Sequence, residues 1–310
     1  MTEKFPEFMA HSPSLTGRQD PLSSHLTDVA RLAEEFAMAF NAGSEARLVG
    51  LAHDLGKFGD LFQRRLRGLE RGVDHWSAGA WAMLSCYREL GVAAALVVQG
   101  HHLGLRQSGP ALKDLDIEKL RKAHPLGLRL SPESLGTILE RFNKDGLIWP
   151  DKHEIGPSTY TGVKGPHASA MLDVRMLFSA LVDADFIETE AHFQADAAGE
   201  KLYRPFGPFL NSAACLEVLL QHISALAEQS EASATVNSLR QDLLNACLAA
   251  ADLPPGLFTL TAPTGAGKTL SMLAFALKHA SIHKLRRIVT VIPYLTIIEQ
   301  TARVYRQALA

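Results

Sequence analysis

Cysteine is scarce in this chain, and the three that occur lie far apart. Cys86, Cys215 and Cys247 form no C-x-x-C pair. A zinc knuckle and a disulfide framework are therefore excluded, and this usage suits a reducing compartment. The amino terminus has no apolar signal segment, and no apolar run is long enough to span a bilayer. We expect a cytoplasmic monomer that does not bind a membrane.

An excess of charge of either sign is also missing. The chain has 31 basic and 33 acidic residues, for a net charge of -2. This balance argues against a net-basic protein that coats DNA, although it permits a local basic groove. The length of 310 residues and a hydrophobic content of 47% allow one large domain or two smaller ones with a sizeable core.

Most of the chain has helical periodicity. Apolar residues recur at three- and four-residue steps within residues 24–87, and helices are also predicted at 168–189 and 213–229. Prolines divide the polar stretch 104–155 into short helices and loops, and the Gly- and Thr-rich residues 160–167 predict a loop. We predict a mainly α protein whose first domain, residues 1–230, is a helical bundle with a connector.

The pattern changes after residue 230. Residues 257–260 and 288–292 predict two buried strands, and residues 270–279 predict a helix between them. This order is typical of a parallel α/β sheet. Because two parallel strands cannot form an independent α/β domain, residues 231–310 are predicted to be an incomplete one. We expect the chain to be the amino-terminal portion of a longer protein or a truncated gene product.

An ordered set of histidines and aspartates predicts a metal site. His53 and Asp54 are adjacent on an amphipathic helix and point about 100° apart, so both can reach a pair of metals only if the carboxylate bridges them. Imidazole and carboxylate ligands together suit Mn, Fe, Co, Ni or Zn, and Mg is a further candidate. A helical bundle can bring distant ligands to one core site. The predicted ligands are His25, His53, Asp54, His75, His101, His102 and Asp185.

Two points about this ligand set stay open. Asp183 is the alternative to Asp185 as the last ligand. The two residues point to different faces of the same helix. A lone histidine is most often a surface or core residue, and the remaining histidines are assigned no site. These are His11, His124, His153, His167, His192, His222, His279 and His283.

The predicted chemistry is phosphodiester hydrolysis. Two adjacent metals can activate a bridging water molecule and neutralise the charge on a phosphate under attack. We assign His53, Asp54 and Lys57 to the catalytic group, with Lys57 holding a phosphate oxygen; a solvated helix-end lysine is the equal alternative. A basic cluster downstream either follows a nucleic-acid backbone or is a solvated helix face. It consists of Arg64, Arg65, Arg67 and Arg71.

A phosphate-binding loop is predicted at residues 262–269, between the first predicted strand and the helix after it. The backbone N–H groups around Gly265 and Gly267 would surround the phosphates of ATP, Lys268 would reach the β- and γ-phosphates, and Thr269 would bind Mg²⁺. Gln241 lies where an adenine-reading glutamine is expected, although a solvated helix residue is an even alternative.

The acidic residue that such a loop needs for ATP hydrolysis is missing. No hydrophobic strand ending in Asp-Glu follows Lys268. We therefore expect no ATPase or helicase activity from this chain alone.

These motifs together resemble the CRISPR-associated nuclease–helicase family of type I systems, and the resemblance covers nearly the whole chain. The matching residues are His25-Leu26-x-Asp28-Val29-Ala30, His53-Asp54-x-Gly56-Lys57, Asp74-His75-x-Ser77-x-Gly79-Ala80, Gly100-His101-His102, residues 183–190 and residues 260–269. In that family an HD nuclease domain is fused to a superfamily 2 DExH helicase. The order of the two motif sets is highly specific.

The resemblance implies an HD-type helical bundle followed by an incomplete RecA-like segment. It implies cleavage of single-stranded DNA with two divalent metals, and recruitment by the RNA-guided surveillance complex. It also implies ATP-Mg as the cofactor of the full-length helicase, which translocates 3′ to 5′. Translocation is not carried over, because the chain lacks the DExH motif and the second RecA-like domain.

Two other functions are weighed beside this one. An HD phosphohydrolase of small nucleotides would use the same ligands, but the helicase-like segment argues against it. A non-catalytic fragment would bind the surveillance complex and degrade no DNA with any divalent metal.

Overall fold

The computed structural model describes residues 7–155, 167–195, 200–205 and 207–310. The chain forms two compact units, Met1–Pro205 and Phe206–Ala310. Part of the predicted loop at 160–167 and the side chain of His167 lie outside the described residues.

The first unit is helical, which confirms the mainly α prediction. Short 3-10 helices at Met38–Phe40, Leu55–Phe58 and Arg88–Gly91 join some of its helices. The α-helices of its described part are α1 Leu22–Ala37, α2 Gly43–Ala52, α3 Asp60–Leu66, α4 Ser77–Tyr87, α5 Val92–Leu103, α6 Ser108–Asp114, α7 Ile117–Lys122, α8 Leu135–Lys144 and α9 His167–Phe193.

Helices α1, α2 and α9 pack on one another. His25 lies in α1, Asp185 lies in α9, and His53 and Asp54 directly follow α2. The apolar stripe of α1 is buried, with Leu26 and Val29 fully inside the core. Gly50 of α2 lies so close to α1 that a Cβ on it would be 2.4 Å from the Cα of Ala30. This close approach brings the end of α2 next to the histidine of α1.

The apolar stretch Ser77–Leu103 is long and apolar enough to cross a membrane by length and composition alone. However, 56% of its most apolar window is buried inside the protein. The 3-10 helix Arg88–Gly91 divides the stretch into α4 and α5, which pack on each other. Many apolar side chains of this stretch are part of the hydrophobic core of the first unit.

The predicted helix carrying His53 and Asp54 ends earlier than expected. Helix α2 ends at Ala52, His53 still donates its backbone N–H to Val49 at 2.9 Å, and Asp54 leaves the helical conformation with φ -113° and ψ 21°. Gly56 then donates its N–H to the His75 carbonyl, and a Cβ at Gly56 would lie 2.5 Å from that oxygen. The bend therefore requires glycine and brings the histidine after strand β1 (Val73–Asp74) against the His-Asp pair.

A short parallel pairing holds that histidine segment in place. Strand β1 pairs with β2 (Arg129–Leu130) in parallel, with Val73 opposite Arg129. Asp74 accepts the backbone N–H groups of Trp76 and Ser77, each at 2.9 Å, just before α4.

The second unit contains α10 Ser212–Glu228, α11 Ala234–Ala250, α12 Lys268–Ile282 and α13 Leu295–Ala308. Helix α12 packs on α10 and α11, and α13 contacts α10. Leu219, Leu244 and Leu277 form the centre of its small core.

The two predicted strands of this unit are not formed in the described structure. Residues 257–260 and 288–292 are neither helical nor paired in a sheet. Leu257 is 97% exposed and Val291 is 88% exposed. Parallel strands are stable when both faces are covered and their edges are paired. The described part of this unit supplies no paired neighbour for either segment, so the prediction of strands was wrong.

The division between the units lies earlier than the predicted domain boundary at residues 230 and 231. Helix α10, which we had grouped with the first domain and its connector, packs on α12 through the fully buried Leu219. Residues 229–233 join α10 to α11 within the second unit.

Candidate metal centre

The structure brings all seven predicted ligands together in the first unit. Asp183, the alternative ligand, is exposed on α9, whereas Asp185 lies among the histidines. His25 comes from α1, His53 and Asp54 follow α2, His75 follows β1, His101 and His102 are near the end of α5, and Asp185 is in α9.

Four of these residues form a first donor set, which we call site A: His25, His53, Asp54 and Asp185. The His25 Nε2 lies 3.2 Å from the His53 Nε2 and 3.3 Å from the Asp54 Oδ2. Asp185 Oδ1 is 3.7 Å from the His25 Nε2 and 3.6 Å from the His53 Nε2. Donors placed about 2.1 Å from a tetrahedral metal are about 3.4 Å apart. These separations therefore suit a divalent ion.

The second donor set, site B, shares Asp54 and adds His75, His101 and His102. The other carboxylate oxygen, Asp54 Oδ1, lies 3.4 Å from the His75 Nε2 and 3.8 Å from the His101 Nε2. The Nε2 atoms of His75 and His102 are 2.9 Å apart. Asp54 thus presents one oxygen to each set, the arrangement that a bridging ligand between two ions requires.

Most site A and B histidines have their second ring nitrogen fixed. The Nδ1 of His53 donates to the Gly50 carbonyl at 2.7 Å, and the Nδ1 of His101 to the Val98 carbonyl at 2.6 Å. The Nδ1 of His25 is 2.5 Å from Glu188 Oε2. A proton on Nδ1 leaves the lone pair on Nε2, and metal-binding histidines are held in this way.

Unpartnered polar atoms support the same interpretation. Asp54 Oδ1 and His101 Nε2 are buried and have no hydrogen-bond partner within the described residues. A buried polar atom without a partner is costly, since it loses its bonds to water. A bound cation would satisfy both atoms at once, so the donor set fits a divalent metal.

The charges of the two sites differ. Burial opposes the protonation of His53, but the neighbouring Asp54 and a hydrogen bond to Asp185 raise its pKa to about 10. Burial lowers the pKa of His102 to about 4 and that of His75 well below its ordinary value. Burial raises the pKa of Asp54, but Lys57 and His53 outweigh it and keep the group ionised. Without a metal, therefore, ion pairs hold site A, whereas the imidazoles of His75 and His102 in site B are neutral.

Lys57 lies beside the shared carboxylate. Its ammonium is 2.6 Å from Asp54 Oδ2, and the side chain is almost fully buried. It also lies over the ring of Phe62, 5.3 Å from the ring centre. Lys57 is therefore buried beside the candidate ligands and is not a solvated lysine at a helix end.

A groove of about 450 Å³ opens onto these residues. Asp54, Lys57, His102 and Asp185 line it together with Arg65 and the half-exposed Phe193. Of the predicted basic cluster, Arg65 faces this groove and lies over Phe62, whereas Arg64 pairs with Glu70 at 3.0 Å. Arg67 and Arg71 are exposed.

The structure adds residues that the sequence interpretation did not include. His11, which was assigned no site, lines the groove and donates from Nδ1 to Asp20 at 2.9 Å. Glu188 is fully buried beside His25, one helical turn after Asp185, so its i+3 spacing was the available signal. Lys201 contacts Glu188 from a segment that has no periodic pattern.

The predicted phosphate loop of the second unit precedes α12, as expected. Gly265 and Gly267 have φ values of +85° and +83°, conformations that favour glycine, and Gly267 caps α12. Lys268 donates to the carbonyls of Ala262 at 2.7 Å and Pro263 at 3.0 Å, and Thr269 is exposed. The loop and the amino terminus of α12 have the form of an anion-binding site.

Helix α11 reaches this loop through a residue next to the predicted one. Arg240 donates from Nε to the Gly265 carbonyl at 3.2 Å, whereas the Gln241 amide donates to Asn245 on its own helix at 3.1 Å. The adenine-reading role of Gln241 stays a prediction. Glu299 is the sole Asp or Glu in the sequence after Lys268.

Comparison with known proteins bears on the second unit. The sequence model of a family described as the type III restriction enzyme, res subunit, matches residues 223–310. No curated protein matches the chain. The matched range contains the phosphate loop and all of α11, α12 and α13. Residues 223–310 are therefore similar to a superfamily 2 helicase-type domain of the type III restriction enzyme res subunit family.

Proposed function

We propose that the first unit is an HD-type, metal-dependent nuclease that cleaves single-stranded DNA. The observation that carries this proposal is the position of Asp54, whose two oxygens belong to two donor sets of metal-binding dimensions. A single carboxylate shared in this way is typical of two-metal hydrolases. Structural ion pairs alone would not leave Asp54 Oδ1 buried without a partner.

Sites A and B would each hold one divalent ion. Ions bound there would activate a water molecule and neutralise charge on the phosphate. The mixture of imidazole and carboxylate donors suits Mn, Fe, Co, Ni or Zn better than Mg, which prefers oxygen donors.

The residues of the groove would position the phosphodiester. Lys57 can donate to a non-bridging phosphate oxygen or to the leaving oxygen while it stays beside Asp54. Arg65 lies further along the groove and can pair with an adjacent backbone phosphate. Phe193, at the rim, offers an aromatic face to an unstacked base.

The helicase-type segment in the same chain supports a nucleic acid over a free nucleotide as substrate. Proteins of the superfamily 2 type act on nucleic-acid strands, and the groove is open rather than enclosed. A phosphohydrolase of small nucleotides would use the same metal ligands, so a substrate panel decides between them.

The test begins with protein treated with a chelator and then supplied with one metal at a time. We expect nicking of circular single-stranded DNA with Mn, Co or Ni, little cleavage of duplex DNA, and no turnover of nucleoside triphosphates. The variant Asp54→Asn should be inactive with every metal. Turnover of nucleotides without cleavage of DNA would support the small-nucleotide phosphohydrolase and contradict this proposal.

We further propose that the RNA-guided surveillance complex of a type I CRISPR system recruits this protein. The support is the order of the two motif sets in the sequence. Co-elution with such a complex loaded on target DNA, and nicking of its displaced strand, are the expected results. Co-elution without nicking by the metal-supplied protein would support the non-catalytic alternative. Nicking of free DNA without co-elution would contradict recruitment by the surveillance complex and would still support the nuclease activity.

For the second unit we propose ATP binding without hydrolysis by this chain. The phosphate loop supplies backbone groups, Lys268 and Thr269, but no acidic residue on a later strand would hold Mg²⁺ and position water. Binding of a fluorescent ATP analogue, with no release of phosphate, is the expected behaviour.

A further inference from the structure

Behind site A lies a buried group of charges that does not face the groove. His25 is fully buried, and its Nδ1 donates to Glu188 Oε2 at 2.5 Å. Glu188 is itself fully buried. Because Nδ1 faces Glu188, the Nε2 of His25 faces His53 and Asp54.

Lys201 is the cation of this group. Its ammonium contacts the second oxygen of Glu188, lies 2.7 Å from Asp28 Oδ2, and is 3.5 Å from Asp20 Oδ1. The Lys201 side chain is only 7% exposed. Burial lowers the pKa of Lys201, but Glu188 and Asp20 outweigh it and raise the pKa above its ordinary value, so the ammonium is charged.

The segment that carries Lys201 is anchored to α9. Leu202 donates its backbone N–H to the Ala191 carbonyl at 3.1 Å, and Tyr203 packs against the core of the first unit. This anchoring places a fixed positive charge behind Glu188. The residues His11, Asp20, His25 and Glu188 could by composition hold a further metal, but the ammonium of Lys201 already supplies the positive charge there.

We propose that Glu188 and Lys201 are positioning residues for site A. Glu188 holds His25 in the orientation that presents Nε2 to the ion, and Lys201 holds the Glu188 carboxylate in place. This inference rests on the proposed metal-binding function. Outer partners of metal-binding histidines commonly change metal affinity by about 10- to 100-fold when they are altered.

A purely structural role would give a different result. If the Glu188–Lys201 pair only stabilised the packing of α9 on α1, its loss would lower the melting temperature and leave the affinity of the folded protein for metal unchanged. If it positions His25, the affinity of one of the two ions changes in folded protein, and the other ion is unaffected.

The experiment measures Co²⁺ binding to chelator-treated protein by calorimetry and by visible absorption. The variants are Glu188→Gln, which keeps the size and a hydrogen-bond acceptor but removes the charge, and Lys201→Met. Glu190→Gln is the matched control, because Glu190 is on the same helix and pairs with Arg204 rather than with a ligand. Circular dichroism establishes that each protein is folded.

We expect Glu188→Gln to weaken one Co²⁺ site about 10- to 100-fold and to change its absorption, with the second site and the control unchanged. Lys201→Met should weaken the same site and lower the melting temperature, because it removes the ammonium beside the buried Glu188 and Asp20. The double variant should regain melting temperature without regaining affinity. Lys201→Arg retains the charge, and its Co²⁺ affinity should be within a few-fold of that of the parent. It replaces Lys201→Met in the experiment if that variant does not fold.

Two outcomes would overturn the inference, and they are distinguishable from failure of the proposed function. If the parent binds two Co²⁺ ions and Glu188→Gln binds both equally well, these residues do not position site A. If every variant loses affinity only in proportion to its loss of folded protein, the role is structural. If the parent itself binds no divalent ion, the proposed function fails, and this inference with it.

Discussion

Asp54 is predicted to be the one residue whose substitution weakens both metal ions. Its Oδ2 lies 3.3 Å from the His25 Nε2 of site A, and its Oδ1 lies 3.4 Å from the His75 Nε2 of site B. Asn offers one neutral carbonyl oxygen and an amide that donates, so Asp54→Asn cannot serve both sites. His25→Gln should instead affect only site A, and His102→Gln only site B.

The size of these effects follows from the number of ligands. Four-ligand zinc sites contribute about 10–16 kcal/mol, or roughly 3 kcal/mol per ligand. Since each 1.4 kcal/mol is about tenfold in affinity, the loss of one donor should weaken an ion about 100-fold. His25→Gln and His102→Gln should each weaken one ion by that factor, and Asp54→Asn should weaken both.

Calorimetric titration of chelator-treated protein with Mn²⁺ or Co²⁺ measures the stoichiometry and the two affinities. Circular dichroism before each titration separates loss of a ligand from loss of the fold. If Asp54→Asn weakened only one ion, Asp54 would not be shared. If His25→Gln and His102→Gln weakened the same ion, the two donor sets would be a single site, and the reasoning from the donor separations would be refuted.

Three further predictions concern the fold and the phosphate loop. Gly56→Ala should destabilise the protein by about 1–3 kcal/mol, because the new Cβ would lie 2.5 Å from the His75 carbonyl; an unchanged denaturation midpoint would contradict this close contact. Burial raises the pKa of Tyr87 from 10.0 to about 12, and its hydroxyl donates to the Pro150 carbonyl at 2.6 Å. A raised pKa gives stability that is present below pH 10 and lost as the pH rises to about 12. Tyr87→Phe should therefore cost about 1–3 kcal/mol at neutral pH, and its deficit should shrink over that alkaline range; a deficit constant with pH would show that Tyr87 does not titrate there. Lys268→Ala should abolish binding of a fluorescent ATP analogue without changing DNA nicking, and retained binding would place the nucleotide elsewhere.

The sequence predicted which residues of the site meet, because their types and order were informative. His25, His53, Asp54 and Asp185 lie together as expected, and Asp185 rather than Asp183 faces them. Their role in binding metal stays a prediction. The sequence did not indicate that α2 ends before His53. That bend depends on the contact between Gly56 and a histidine segment almost twenty residues away.

The supporting residues were harder to infer. Glu188 follows Asp185 by one helical turn, so spacing alone could have pointed to it. Lys201 lies in a non-helical segment, and its contact with Asp28 joins residues 173 positions apart, so no local pattern encodes it. The two predicted strands failed for a related reason, since β-branched residues favour a strand only where neighbours complete the sheet. Val289 and Val291 have no such neighbours in the described structure and are exposed.

Asp183 and Asp185 of α9 offer the most direct test of a two-metal nuclease. Asp185 lies 3.6 Å from the His53 Nε2, whereas Asp183, two residues earlier on the same helix, is exposed. The measurement is the rate at which Mn²⁺-supplied Asp185→Asn and Asp183→Asn nick circular single-stranded DNA. We predict that Asp185→Asn is at least about 100-fold slower than the parent and that Asp183→Asn is unchanged. Equal rates for the two variants would contradict the assignment of this centre.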